Sequence, residues 1–123
     1  MPRFVLLEHT GHPDDPNGRH FVLLLEEANA CRTWRLAEIP LIDGLPVAVT
    51  PLAAHRLVWL ERLEGEVSGG RGFARRIDVG TYEMLTGPFD SERIGICLQG
   101  HAVRGLMTIT QALATLQSWP NNQ

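Results

Sequence analysis

The sequence predicts an all-β protein, a small closed or partly open barrel of mostly antiparallel strands with little helix. The 12 glycines and 8 prolines interrupt the chain at short intervals. The segments between them are mostly too short for a helix of ordinary length. They are also rich in valine, isoleucine, leucine and aromatic residues, which favour strands. Several short strands separated by turn signals are typical of a barrel or a sandwich.

The predicted strands cover most of the chain. They are Arg3–Glu8, His20–Glu26, Arg32–Ala37, Leu45–Val49, Leu57–Arg62, Ala74–Val79, Thr81–Leu85, Ile94–Leu98 and Val103–Thr110. For Thr110–Trp119, a helix and a final strand fit almost equally well, so both alternatives stay open. The side chains expected to be largely buried in such a barrel are Phe4, Leu6, Phe21, Leu23, Leu25, Trp34, Ile77 and Ile96.

Length and composition indicate one domain over residues 1–123. Hydrophobic residues make up 44% of the chain and charged residues 20%, which argues against wholesale disorder. No apolar run approaches the roughly 20 residues of a membrane helix, and the first residues lack the features of a signal peptide. We therefore expect a cytoplasmic monomer that does not associate with membranes. We expect Cys31 and Cys97 to be buried free thiols.

Charge gives no overall attraction to nucleic acid, because the formal net charge is −3. All 11 basic residues are nonetheless arginines, whose planar fork suits phosphate. Two loops interrupt the strand pattern. Gly11–Gly18 holds two prolines and two glycines, and Ser68–Gly72 holds three glycines. The second loop fits either a plain hairpin connection or a close backbone approach to phosphate.

Three histidines, His9, His20 and His55, are the candidate functional residues. His9 ends the first predicted strand and His20 opens the second, so they are expected to face each other across the loop. Imidazole is a ligand for manganese, zinc, iron or nickel. A shared ion requires rings within about 8 Å, since each metal–nitrogen bond is about 2 Å. The alternative is that these are solvated loop residues, and that His55, which precedes the strand predicted at Leu57–Arg62, is structural.

Five blocks of the sequence, in this order, carry a resemblance to a known family. They are Arg3-Phe-Val-Leu-Leu-Glu-His9, His20-Phe-Val-Leu-Leu-Leu-Glu26 with Thr33-Trp-Arg-Leu-Ala37, Ala48-Val49 followed by His55 and Trp59, Glu64-Gly65 with Gly80-Thr-Tyr-Glu83, and Leu98-Gln-Gly-His-Ala-Val-Arg-Gly105. Together they resemble the 3′-phosphoesterase domain of bacterial DNA ligase D, and they span nearly the whole chain.

The resemblance implies a small β-barrel that uses a divalent metal, typically manganese, to process phosphate or ribonucleotides at DNA 3′ ends during repair. It implies His9 and His20 as metal ligands and His55 as a phosphate-binding residue, with all three in the catalytic centre. The phosphate contacts expected beside His55 come from Arg19, Arg71 and Arg76, or from Arg75. The partners it implies are DNA 3′ ends or a small phosphoester, together with repair proteins.

Two positions depart from the family pattern. The metal-binding Asp of the family is Val22 here, and its phosphate-binding Arg is Leu24. Loss of the only anionic ligand is expected to cost at least about 10–100-fold in metal affinity. His12, Asp14 or Asp15, in a loop longer than the family's, are candidates to replace it. The cofactor is therefore expected to be manganese, zinc or none. The alternatives are an active phosphoesterase, a catalytically silent binding module and a purely structural protein.

Overall fold

The computed structural model describes residues 1–15, 18–86 and 92–118. Residues 16 and 17 of the predicted loop Gly11–Gly18, and Trp119, lie outside them. The strands are β1 (Arg3–Thr10), β2 (Arg19–Glu26), β3 (Cys31–Leu36), β4 (Val47–His55), β5 (Glu64–Glu66), β6 (Phe73–Thr86), β7 (Ile94–Gly100), β8 (Arg104–Ile109) and β9 (Leu113–Gln117). The predicted all-β fold is confirmed, with antiparallel pairing between all neighbouring strands.

The strands form a sheet in the order β1-β2-β3-β4-β9-β8-β7-β6-β5, and β1 also pairs with β6. The hydrogen bonds therefore run in a closed ring through eight strands, with β5 attached outside it. The ring is held weakly at one seam, because β4 meets β9 through only two pairs, Val47 with Ala114 and Ala48 with Leu113. Beyond that seam the second half of β4 is free to border a cleft.

The main core fills the ring. Alternate side chains of β1 and β2, such as Phe4 and Leu23, point inwards and pack with side chains from the other ring strands. The predicted core residues are buried, except that Ile77 is only partly buried against the core. Ile77 lies at a register shift in β6, between the pairs Leu6–Asp78 and Leu7–Arg76, where it has no direct partner on β1.

A second apolar cluster lies on the outer face of β1 and β2. Val22 and Leu24 pack there against Leu60 and are 5% and 0% exposed. Leu60 belongs to a 3₁₀ helix, Leu57–Leu60, and not to the predicted strand Leu57–Arg62. The strand prediction is wrong, because this segment pairs with no strand and instead packs Leu60, with Leu57 and Trp59 partly buried beside it, against the outer face of β1 and β2. His55 is therefore the last residue of β4, and the segment that follows it is the 3₁₀ helix.

Three further strand assignments are settled by the structure. Ala74–Val79 and Thr81–Leu85 are not two strands but parts of the single 14-residue strand β6. The strand continues through Gly80. Glycine is required at this position because a Cβ would overlap the carbonyl of Gln99 on β7. The open segment Thr110–Trp119 contains a strand, β9. The short strand β5 was not predicted.

A buried carboxylate, Asp78, stabilises the connection between β7 and β8. It accepts hydrogen bonds from the backbone amides of Val79 (2.9 Å), His101 (2.9 Å), Ala102 (3.1 Å) and Val103 (2.7 Å). Asp78 itself is buried, and a carboxylate removed from water is stable only when it is hydrogen-bonded in this way. Among the described residues, no helix is both long and apolar enough to cross a membrane.

Candidate functional site

His9 and His20 are direct cross-strand neighbours on β1 and β2. Their ring centroids are 4.7 Å apart, so the predicted proximity is confirmed. Both side chains project from the outer face that also carries Val22 and Leu24, because alternate residues of a strand share a face. His20 is buried and His9 partly buried. Their role as metal ligands stays a prediction.

A third imidazole, His12, joins this pair from the loop after β1. Its ring centroid lies 5.5 Å from that of His9 and 6.1 Å from that of His20. We call these three side chains the histidine cluster. His12 Nδ1 accepts a hydrogen bond from the backbone amide of Asp14 at 3.1 Å, so a neutral His12 carries its proton on Nε2. His12 therefore presents a donor and no free lone pair to its neighbours.

His9 has the opposite arrangement. Its Nε2 lies 2.6 Å from the carbonyl oxygen of Arg71. Because a carbonyl oxygen only accepts, Nε2 is a protonated nitrogen, and in a neutral imidazole the lone pair is then on Nδ1. This bond also joins the histidine cluster to the loop Ser68–Gly72. A Cβ at Gly72 would overlap the carbonyl oxygen of Thr10, so glycine is required where the two segments meet.

Of the two loop carboxylates left open by the sequence, Asp15 reaches the cluster and Asp14 is exposed. Asp15 Oδ2 lies 2.9 Å from His20 Nδ1, and its Oδ1 lies 3.6 Å from a guanidinium nitrogen of Arg35. Burial lowers the pKa of His20 and outweighs the opposing effect of the hydrogen bond to Asp15. His20 is therefore a neutral imidazole at neutral pH.

The metal implied by the resemblance fits these residues only in part. Within residues 1–15, 18–86 and 92–118, no three His, Cys, Asp or Glu side chains form a group able to hold a metal ion. The Nδ1 lone pair of His12 already accepts a hydrogen bond from the Asp14 amide, so it is not available to an ion beside His9 and His20. The position of the family's carboxylate is occupied by the buried side chain of Val22.

A cleft of about 1060 Å³ lies beside the histidine cluster, and we call it the arginine cleft. Thr10 and Gly11, which follow His9 directly, form part of its wall. The charged, histidine and aromatic residues that line it are His55, Arg56, Trp59, Arg62, Glu66, Arg71 and Phe73. Three guanidiniums thus face one carboxylate, an excess of two positive charges on a chain of net charge −3.

The lining side chains are held in place by specific contacts. The Arg62 guanidinium lies over the Trp59 ring at 4.7 Å and donates to the carbonyl of Glu66 at 2.8 Å. Arg71 donates to the Ser68 carbonyl at 2.7 Å. The His55 ring contacts Trp59 at 5.9 Å. Fixed guanidiniums lose less conformational freedom when an anion binds, which favours binding.

The structure places only some of the predicted phosphate-binding residues in the arginine cleft. His55 and Arg71 line the arginine cleft. Arg19 instead pairs with Glu8 at 3.4 Å, and Arg76 donates to the carbonyl of Leu60 at 3.3 Å. Arg75, the further alternative, also pairs with Glu8, at 2.9 Å.

Sequence reasoning missed Arg56 and Arg62, which both line the cleft. Both follow His55 closely in the sequence, and this closeness was the one feature that could have pointed to them.

The sequence matches no family model, and none of the curated proteins matches it at a significant level. The histidine cluster and the arginine cleft are therefore the two features from which a function is inferred.

Proposed function

We propose that this protein binds a phosphate-bearing ligand, such as the 3′ end of a DNA strand, in the arginine cleft. In this proposal the fold implied by the 3′-phosphoesterase resemblance serves binding and lacks that family's chemistry. The observation that carries the proposal is the excess of guanidinium groups in an open cleft on an otherwise acidic chain.

The chemistry of the lining favours phosphate. Guanidinium groups bind phosphate through paired N–H donors, and such charge-assisted bonds are about twice as strong as neutral ones. His55 adds a further polar group, because its Nδ1 donates to the Ala53 carbonyl at 3.1 Å and leaves Nε2 for a ligand. At about 1060 Å³ the cleft exceeds what a single phosphate fills and is at the upper end of the range for small-ligand sites.

The outer face of β2 supports binding without the family's catalysis. Val22 and Leu24 replace the family's carboxylate and guanidinium and are buried under the 3₁₀ helix. That face is therefore dry where the resemblance implies charged groups. We propose that repair proteins or DNA ends remain the partners, with recognition as the activity.

Binding is tested with two labelled DNA strands of one sequence, one ending in a 3′-phosphate and one in a 3′-hydroxyl. We expect tighter binding of the phosphorylated strand, measured by fluorescence anisotropy at low salt. The double variant Arg56→Gln with Arg71→Gln is expected to lose about 100-fold or more in affinity, because each of the two charge-assisted contacts contributes about 1.5–3 kcal/mol. The matched control is Arg104→Gln, an exposed arginine outside the cleft lining.

Two results would contradict the proposal. One is an equal loss of affinity in the Arg104→Gln control, which would indicate attraction by overall charge. The other is equal affinity for both strands in the wild-type protein, which would remove recognition of the terminal phosphate.

A second candidate function is a metal-dependent phosphoesterase, and the 4.7 Å approach of His9 and His20 favours it. His9 Nδ1 and His20 Nε2 would be the ligand nitrogens. A bound ion would polarise a phosphoryl group and neutralise its charge. Two imidazoles without a carboxylate suit zinc better than manganese, which prefers oxygen ligands.

The metal is tested by adding manganese during NMR observation of the histidine side chains. We expect the His9 and His20 signals to broaden before that of His101, which lies in the β7–β8 connection. His20→Ala is expected to abolish the selective broadening at His9, since a single neutral imidazole holds the ion poorly. Equal broadening of all five histidines would show nonspecific binding and exclude this second function.

A further inference from the structure

The loop Ser68–Gly72 connects β5 to β6, and all of its residues line the arginine cleft. Four successive backbone amides, those of residues 68–71, meet no acceptor in hydrogen-bond geometry among the described residues. A backbone N–H is a strong donor, and successive amides in a turn can form an anion-binding concavity. The loop therefore brings backbone donors to the cleft in addition to the arginine side chains.

Two adjacent glycines of this loop, Gly69 and Gly70, have left-handed backbone conformations, with φ of 77° and 68°. Packing within the protein does not require a glycine at Gly70, because a Cβ there would meet no atom within 4 Å. At Gly69 the nearest atom would be the Nε of Arg71 at 3.7 Å, an ordinary contact. The space beside these two residues is open, so a ligand can approach the backbone closely.

The loop is held in place at both ends. The backbone amide of Val67 donates to the carbonyl of Gly72 at 2.8 Å, and His9 Nε2 donates to the carbonyl of Arg71 at 2.6 Å. Within the loop, the Arg71 guanidinium donates to the carbonyl of Ser68 at 2.7 Å and to its hydroxyl at 3.0 Å. A loop that is already ordered loses less conformational freedom when a ligand binds.

We propose that the loop Ser68–Gly72 holds the phosphate group itself, through the backbone amides of residues 68–71, while the arginines of the cleft supply positive charge around it. This inference rests on the proposed function and names the element that carries recognition. A terminal phosphate has three strong acceptor oxygens, more than a phosphodiester within a strand can offer. The loop therefore favours the phosphorylated end of a strand over its interior.

The first test is ¹H–¹⁵N NMR of the wild-type protein with inorganic phosphate as the probe. The amide protons of Gly69 and Gly70 are expected to move downfield as phosphate is added, because a proton donated to an anion is deshielded. Gly44 lies outside the cleft lining and already donates to the carbonyl of Leu41, so its signal is expected to stay in place.

The second test compares two glycine variants for binding of the DNA strand with a 3′-phosphate. Gly70→Ala places a methyl group where the ligand approaches and is expected to weaken binding about 10-fold or more, the effect of one lost charge-assisted bond. Gly18→Ala is the matched control, because Gly18 has a φ of 74°, open space at its Cβ and no part in the cleft lining. It is expected to bind as the wild type does.

The outcomes separate this inference from the proposed function. Phosphate-induced shifts of the Arg56 and Arg62 side-chain signals, with Gly69 and Gly70 unchanged, would overturn the role of the loop and leave binding in the cleft intact. Equal loss of affinity in Gly70→Ala and Gly18→Ala would also overturn it. An absence of shifts at both the arginines and the glycines would contradict the proposed function as well.

Discussion

Replacing Leu24 with arginine is expected to destabilise the protein by about 3–5 kcal/mol, the cost of an uncompensated buried charge. Leu24 is 0% exposed and packs with Val22 and Leu60 in the outer apolar cluster. Since the free energy of unfolding of such domains is about 5–15 kcal/mol, a large share of the stability would be lost. Urea denaturation followed by tryptophan fluorescence measures the change.

Two control variants separate burial of charge from other effects. Leu24→Met conserves volume and is expected to cost less than about 1.5 kcal/mol. Leu45→Arg places the same charge on a side chain that is 86% exposed and is expected to change stability by about 0.5 kcal/mol or less. A Leu24→Arg protein as stable as the wild type would show that this face accommodates a guanidinium.

Substitutions at Val22 and Leu24 also test whether the chemistry implied by the resemblance can be introduced on this face. With manganese, the wild-type protein is expected to release little phosphate from a DNA 3′ end. Val22→Asp combined with Leu24→Arg is expected to raise the activity by more than the two single changes together, because metal and phosphate sites act as one unit. The stability loss limits this gain, so folding is measured on each preparation.

Replacing Asp78 with alanine is expected to destabilise the protein by about 4 kcal/mol. The four backbone amides that donate to this carboxylate would lose their acceptor. Each lost bond to a buried charged group contributes about 1.5–3 kcal/mol, and the losses are less than additive. Thermal unfolding measures the total, and hydrogen exchange is expected to accelerate at His101, Ala102 and Val103.

Asp78→Asn is expected to lose about half as much stability as Asp78→Ala, because the asparagine amide keeps one accepting oxygen. Glu83→Gln, an exposed carboxylate on the same strand β6, serves as the matched control and is expected to leave stability nearly unchanged. If Asp78→Ala unfolds at the wild-type temperature, water replaces the carboxylate and the connection is stabilised by other contacts.

The sequence by itself determined the strand content and the inward side chains of the first two strands. Runs such as Phe21–Leu25 carry that information locally, because strand propensity and turn residues act over a few positions. The pairing of His9 with His20 was also predictable, since the chain must return across a loop to the neighbouring antiparallel strand.

Only the tertiary structure decided what lies over the outer face of β1 and β2 and beside it. Leu57–Leu60 has the composition of a strand yet forms a 3₁₀ helix, from which Leu60 packs into the outer apolar cluster with Val22 and Leu24. The arginine cleft joins residues near positions 10, 55 and 70, which no local pattern brings together. The partnership of Asp15 with His20 likewise depends on how the loop packs, because burial and hydrogen-bond direction are properties of the folded chain.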